Sequence, residues 1–145
     1  MSNGENIEPQ PIEDACVRSP YIDQMMLVGQ DQKALGALIV PNLDALQTWG
    51  NNQQLNLTFP PEDANREVIV NSDLYGKPVQ NLFKQELNRE VKNRPGYRPD
   101  DQIKAFELIL EPFSIDNGMM TQTLKIKRPV VTERYQGMID GMFES

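Results

Sequence analysis

Apolar positions along this chain fall into a series of short, well-separated patterns. Ile12, Ala15 and Cys16 recur at i, i+3 and i+4 behind Pro11, which suits a first helical turn, so a short helix is predicted to end near Ser19-Pro20. Residues 21–29 and 34–40 are apolar runs separated by Gln30-Asp31-Gln32-Lys33, the spacing of an antiparallel hairpin. Pro41-Asn42-Leu43-Asp44 reads as a helix start leading through Leu46 to Trp49, with Gly50 and the amides after it as the stop. Val79, Leu82, Phe83, Leu87 and Val91 form one stripe of a longer amphipathic helix, which Pro95-Gly96 ends. Ile103 to Leu110 is apolar on both faces apart from Lys104 and Glu107, the pattern of a central strand. Asp116-Asn117-Gly118 is a turn, Met119 to Ile126 a short strand, and Pro129 opens a final helix with Val131, Tyr135, Met138, Ile139 and Met142 on one face.

Between Gly50 and that long helix the pattern fades. Residues 51–78 carry three prolines, several amides and one convincing apolar cluster, Val68-Ile69-Val70, and read as an insertion with one helical segment. No internal repeat is visible. Without regular β-α alternation, these elements predict an α+β domain: a small antiparallel or mixed sheet, made of the N-terminal hairpin plus central and short C-terminal strands, packed with several helices.

Composition narrows the chemistry. At 145 residues the chain fits a single domain that buries roughly two thirds of its unfolded surface, and it needs neither metal nor disulfide to fold. No apolar run approaches the ~20 residues of a membrane span and no signal peptide is evident, so a soluble chain is expected. Cys16 is the only cysteine, which makes a reducing, cytoplasmic compartment the natural assignment. The absence of histidine removes serine-histidine and cysteine-histidine nucleophiles and most zinc sites. A net charge of −7 argues against nonspecific nucleic-acid binding. The charge is uneven, however: three cations face eleven acids before Lys77, whereas eleven cations face ten acids from Lys77 onward. The second half can therefore hold a positive patch for an anionic ligand.

Two runs stand out as candidate chemistry. The first is the opening, Asn3-Gly4-Glu5-Asn6-Ile7-Glu8-Pro9-Gln10-Pro11-Ile12-Glu13, a Gly-containing turn, an extended piece and a Pro-initiated helix, which reads as a connector from a preceding domain. The second is Asn117-Gly118-Met119-Met120-Thr121-Gln122-Thr123-Leu124-Lys125-Ile126-Lys127-Arg128, three cations in four residues after a turn. By spacing alone it reads as a solvated strand edge whose lysines discourage aggregation, because short basic motifs match often by accident.

Together the two runs resemble the C-terminal domain of adenylate-forming acyl-activating enzymes, and most closely the long-chain acyl-CoA and acyl-[acyl carrier protein] synthetases. The opening matches the family's Gly-x-x-Ile-x-Pro-x-x-Ile-Glu loop, and Thr123-Leu124-Lys125-Ile126-Lys127-Arg128 matches its Ser/Thr-x-Lys-x-x-Arg run. The resemblance extends over nearly the whole chain, including Tyr135-x-x-x-Ile139-x-x-Met142-Phe143. Two departures are visible: Leu124 stands where many relatives have Gly, and Pro11 where relatives often have Glu.

The resemblance implies a lid domain whose large adenylating partner domain lies outside this chain. The parent would convert a fatty acid and ATP to an acyl-adenylate with release of pyrophosphate, then pass the acyl group to coenzyme A or an acyl carrier protein. Lys125 would serve adenylation, and the Gly4, Glu5, Asn6, Ile7, Glu8, Pro9 loop would serve the thioester step after the lid swivels. ATP and Mg would be bound mainly by the large domain, with no cofactor or metal in this domain alone, and peripheral membrane association of the parent stays open. Arg128 is expected in a structural or interdomain salt bridge. If Met119 to Ile126 is a strand, Lys127 shares the face of Lys125 and Arg128 points away. Arg89, Lys92, Arg94 and Arg98 are either a solvated helix end or a docking patch for an acidic carrier protein or the phosphates of coenzyme A. The alternative function is a stand-alone, non-catalytic module that docks a carrier protein or a synthetase.

Overall fold

The computed structural model describes residues 9–29, 35–93 and 103–142. Within them the order is α1 (Pro9–Cys16), β1 (Ile22–Val28), β2 (Leu35–Pro41), α2 (Leu43–Asn52), α3 (Arg66–Val70), a 3-10 turn (Asp73–Tyr75), α4 (Lys77–Asn93), β3 (Ile103–Leu108), α5 (Arg128–Arg134) and α6 (Gln136–Met142). The predicted α+β class holds, with a three-stranded mixed sheet in the order β1-β2-β3. β1 and β2 pair antiparallel, with Met26 opposite Leu38, and β2 and β3 pair parallel, with Ile39 opposite Leu108.

Strand alternation splits the apolar side chains between two cores. Met25, Leu27, Ala37, Ile39 and Leu108 point to one face of the sheet, where they meet Ile12 and Cys16 of α1, Leu46 of α2 and the α4 stripe of Val79, Leu82, Phe83, Leu87 and Val91. Met26, Val28, Leu38, Val40 and Ile109 point to the other, where Phe113, Met119, Val131 and Ile139 cover them. The sheet is therefore the middle of three layers, which is why every residue of β2 is buried. The predicted final helix breaks into α5 and α6 at Tyr135, yet Val131, Tyr135, Met138, Ile139 and Met142 still lie against one core.

Four expectations are corrected. β3 lies at the edge, and the central strand is β2. Apolarity on both faces of β3 reflects a layer on each side of the sheet, while its outer backbone is closed by side chains: Tyr75 Oη accepts from the Leu108 amide at 2.9 Å and Arg66 donates to the Leu108 carbonyl. Such capping blocks edge-to-edge pairing. Gly50 does not stop α2, which runs to Asn52; a Cβ on Gly50 would lie 2.6 Å from Leu57 Cδ1, so the glycine makes room for packing, and Gln54 at φ 61° turns the chain instead. α1 begins at Pro9, not Pro11, because both prolines fit a first turn that needs no amide donors.

Finally, Met119 to Ile126 is not a strand. It is a tight reversal closed by a single bridge between Met120 and Ile126, so strand alternation does not govern the directions of Lys125, Lys127 and Arg128. The polar turn 30–33, Pro95-Gly96 and Phe143 lie outside the described residues, as do Gly4 to Glu8, Arg94 and Arg98.

Candidate functional site

The Lys125 turn is assembled from the polar residues of its own motif. Asn117 is the hub at its base: its side-chain oxygen accepts from the Ser114 and Met119 amides, each at 3.1 Å, and its amide group donates to the Pro112 carbonyl at 2.8 Å. Gly118 follows at φ 80°, a left-handed conformation that glycine adopts at little cost. At the tip, the Thr121 amide donates to the Lys125 carbonyl at 2.8 Å, and the Lys125 amide donates to Thr121 Oγ1 at 3.1 Å. Thr121 and Thr123 share a hydroxyl hydrogen bond of 2.9 Å, and Leu124 takes φ 63° to close the turn. The backbone around Lys125 is thereby held from both sides, while its side chain is exposed and meets no hydrogen-bond or ion-pair partner among the described residues.

The turn is anchored to the sheet at both ends. On one side Gln24 of β1 grips the backbone of Phe113, donating to its carbonyl at 3.0 Å and accepting from its amide at 2.7 Å. On the other side Arg128 makes a two-pronged ion pair with Glu13 of α1, both contacts at 2.7 Å. Glu13 is only 6% exposed, and its Oε2 also accepts from the Leu27 amide at 2.7 Å. One carboxylate thus ties α1, the free edge of β1 and the start of α5 together. Its charge pushes the Arg128 guanidinium up from its ordinary value, through the hydrogen bond first and against the opposing effect of burial. Arg128 accordingly acts in an ion pair within the domain.

A cleft of about 290 Å³ opens across this edge, lined by Leu124, Lys125 and Ile126, by Gln10 and Asp14 of α1, and by Val17 just after that helix. Asp23, Gln24 and Met25 of β1 line it as well. The Lys125 ammonium is exposed at this cleft and meets no partner among the described residues, so it is available to an anion supplied from outside the domain, while Asp14 and Asp23 add negative charge to the same lining. Gln10, directly after Pro9, brings the start of α1 to the same cleft as Lys125. Neither Arg89 nor Lys92 lines it. Arg89 is instead paired with Glu86 at 2.6 Å and Glu90 at 3.2 Å, and Lys92 stands exposed in the last turn of α4. Among the described residues no three Asp, Glu, Cys or His side chains gather as a metal site.

Sequence reasoning missed Glu13 and Gln24 as supports of the turn. The signal for Glu13 was a carboxylate beside the buried stripe of α1, but its partner lies 115 residues away. Gln24 carried no signal beyond being polar within an apolar strand. A second cavity, of about 620 Å³, lies between Arg66, Ile69, Ile109 and Tyr135, and none of the sequence-predicted site residues lines it.

Comparison with known proteins places the chain in a family. A model of the AMP-binding enzyme C-terminal domain matches residues 1–92. The long-chain-fatty-acid–[acyl-carrier-protein] ligase AEE15, chloroplastic, of Arabidopsis thaliana is 33% identical over 143 residues, 99% of this chain and 16% of that protein. Long-chain-fatty-acid–CoA ligase 1 of Homo sapiens is 30% identical over 146 residues, 100% of this chain and 19% of that protein. The chain thus spans under a fifth of the length of these relatives, and both alignments take in Lys125. The A-PCP didomain of carboxylic acid reductase from Segniliparus rugosus, solved in complex with AMP, shares the fold with a TM-score of 0.71 at 22% identity, covering 99% of this chain and 17% of that one. The family model covers the opening run, the α1 anchor and the hairpin, while the longer alignments carry the likeness through the Lys125 turn; the chain belongs to the AMP-binding enzyme C-terminal domain family, as the C-terminal part of acyl-activating enzymes related to long-chain fatty acid CoA and acyl-carrier-protein ligases.

Proposed function

We propose that this domain is the lid of an ATP-dependent long-chain fatty acid ligase and that Lys125 serves its adenylation step. The single observation that carries the reading is the construction of the Lys125 turn: a backbone clamped by Thr121 and anchored through Arg128, presenting an exposed, unpaired ammonium. When a carboxylate attacks the α-phosphate of ATP, two anions are brought together and charge spreads over the phosphate oxygens. A positioned ammonium favours that transition state over the separated reactants. Rigid backbone and free side chain are what the task requires, because the cation must arrive at a fixed place and have no partner to give up.

ATP, its magnesium ion and the fatty acid would be held mainly by the adenylating domain. After adenylation the lid would swivel, withdrawing Lys125 and bringing the Gly4 to Pro9 loop to line the passage of a thiol, that of coenzyme A or of an acyl carrier protein. The basic end of α4, Arg89 and Lys92, together with Arg94 and Arg98, is the proposed docking face for that acceptor. Residues 51–78 are read as an insertion in the lid. Alone, the domain is expected to be inactive.

The test is fatty-acid-dependent ATP–pyrophosphate exchange by an adenylating domain alone, joined to this chain, and joined to its Lys125→Ala form. Exchange should require the unaltered chain and fall on the order of 10²–10³ for the alanine form, the loss seen when one charge-stabilising contact is deleted from a transition state. Equal exchange by both joined forms would remove Lys125 from the chemistry.

A further inference from the structure

Leu124 combines two features that the domain itself does not explain. It adopts φ 63°, a conformation that crowds the Cβ of any residue but glycine, and its side chain is 65% exposed. A glycine would carry the same turn without strain, since the closing hydrogen bonds use only the Leu124 amide, the Thr121 backbone and hydroxyl, and the Lys125 backbone. Leu124 belongs to neither apolar core. Backbone strain and an unburied leucine are thus both maintained at the residue directly before Lys125, and strain of this kind persists where something outside the local contacts repays it.

We propose that Leu124 is the anchor of the lid in its adenylation position: an apolar knob that seats in an apolar socket of the adenylating domain and so sets where Lys125 arrives. This rests on the lid reading given above. The relatives are more than five times as long as this chain, so the surface that covers Leu124 is available in the rest of such an enzyme. The surroundings define the socket. Lys125 and Lys127, one and three residues on, are exposed beside Leu124, and Val17, 40% exposed, lines the same cleft. The partner surface at Leu124 is therefore an apolar depression, and its rim meets charges of both signs, Lys125 and Lys127 beside the leucine and Asp14 and Asp23 elsewhere in the cleft. Covering a leucine that is two-thirds exposed shifts an equilibrium by about tenfold. Leu124 is a positioning residue, acting on the reaction through Lys125.

The experiment uses the joined enzyme with Leu124→Gly, Leu124→Asn, Leu124→Met and Lys125→Ala. Glycine and asparagine tolerate the left-handed turn but remove the knob, whereas methionine keeps its apolar bulk. Pyrophosphate exchange should fall about tenfold in the Gly and Asn forms and stay within about twofold in the Met form. Transfer of the acyl group from supplied acyl-adenylate to the thiol should be unchanged, because in that step the lid has turned away. Thermal unfolding of the separate chain should be no earlier for the Gly and Asn forms than for the parent. If exchange survives both substitutions while Lys125→Ala abolishes it, Leu124 is no anchor and the Lys125 assignment stands. If Lys125→Ala also leaves exchange intact, the lid reading fails with it. Equal losses in both half-reactions, or early unfolding, would make Leu124 part of the fold and overturn the proposal.

Discussion

Replacing Arg128 with Met should expose how the Lys125 turn is held. The substitution keeps most of the aliphatic stem but removes both donors to Glu13, leaving a carboxylate that is 6% exposed with the Leu27 amide as its remaining hydrogen-bond partner among the described residues. Breaking one side of a fully buried ion pair costs about 3–5 kcal/mol. Here the Arg128 side chain is 33% exposed, so water reaches the site, and with one partner retained the expected loss is about 2 kcal/mol. For a chain of this length that corresponds to a fall in Tm of roughly 6–7 °C. Glu13→Gln should cost a similar amount. The double variant should then be more stable than the sum of the two single losses predicts, by about 1.5 kcal/mol, because each single change already removes the shared interaction. Urea unfolding measures all four forms, with an unchanged slope confirming that the same surface is exposed each time. Strict additivity, or a loss below about 0.5 kcal/mol for Arg128→Met, would refute the claim that this pair joins α1, β1 and the start of α5.

Two further outcomes follow from the same structure. Gly118→Ala has open space around the added carbon, so its cost should come from the left-handed backbone alone, about 1 kcal/mol by urea unfolding; a neutral result would mean that the turn can relax. Tyr75, pushed up to about 12 by burial, binds its proton more tightly in the folded chain than in the unfolded one, where it ionises near 10. Its contribution is therefore complete below pH 10 and lost progressively as pH rises to 12, and Tyr75→Phe should remove that part of the alkaline decline while lowering stability at neutral pH through the orphaned Leu108 amide.

Local periodicity was enough to specify most elements. The α4 stripe, the antiparallel hairpin and the start of α2, where Asn42 accepts from the Ala45 amide, are each decided by residues within a few positions of one another, and each is where the pattern put it. The candidate site was legible in part for the same reason. Asn117, Gly118, Thr121 and Thr123 build their turn through contacts spanning at most six residues, so their spacing carries the information.

What only the tertiary structure decided depends on partners far away in sequence. β3 became an edge strand because Arg66 and Tyr75, more than 30 residues earlier, close its outer backbone, and no local pattern distinguishes that from a neighbouring strand. Met119 to Ile126 looked extended because its residues are compatible with a strand, but the left-handed Leu124 reverses the chain and the Thr121 hydrogen bonds hold it there. Arg128 could be seen to need a carboxylate, yet Glu13 is 115 residues distant and is brought to it by the three-layer packing of the sheet. Sequence by itself determined the amphipathic elements and the motif around Lys125, since hydrophobic periodicity and turn chemistry are short-range. Which edge is free, which charges pair and where Lys125 is presented were decided only when the chain closed on itself, because a carboxylate or an open strand edge specifies the kind of partner it needs and not which of many such residues will fill the role.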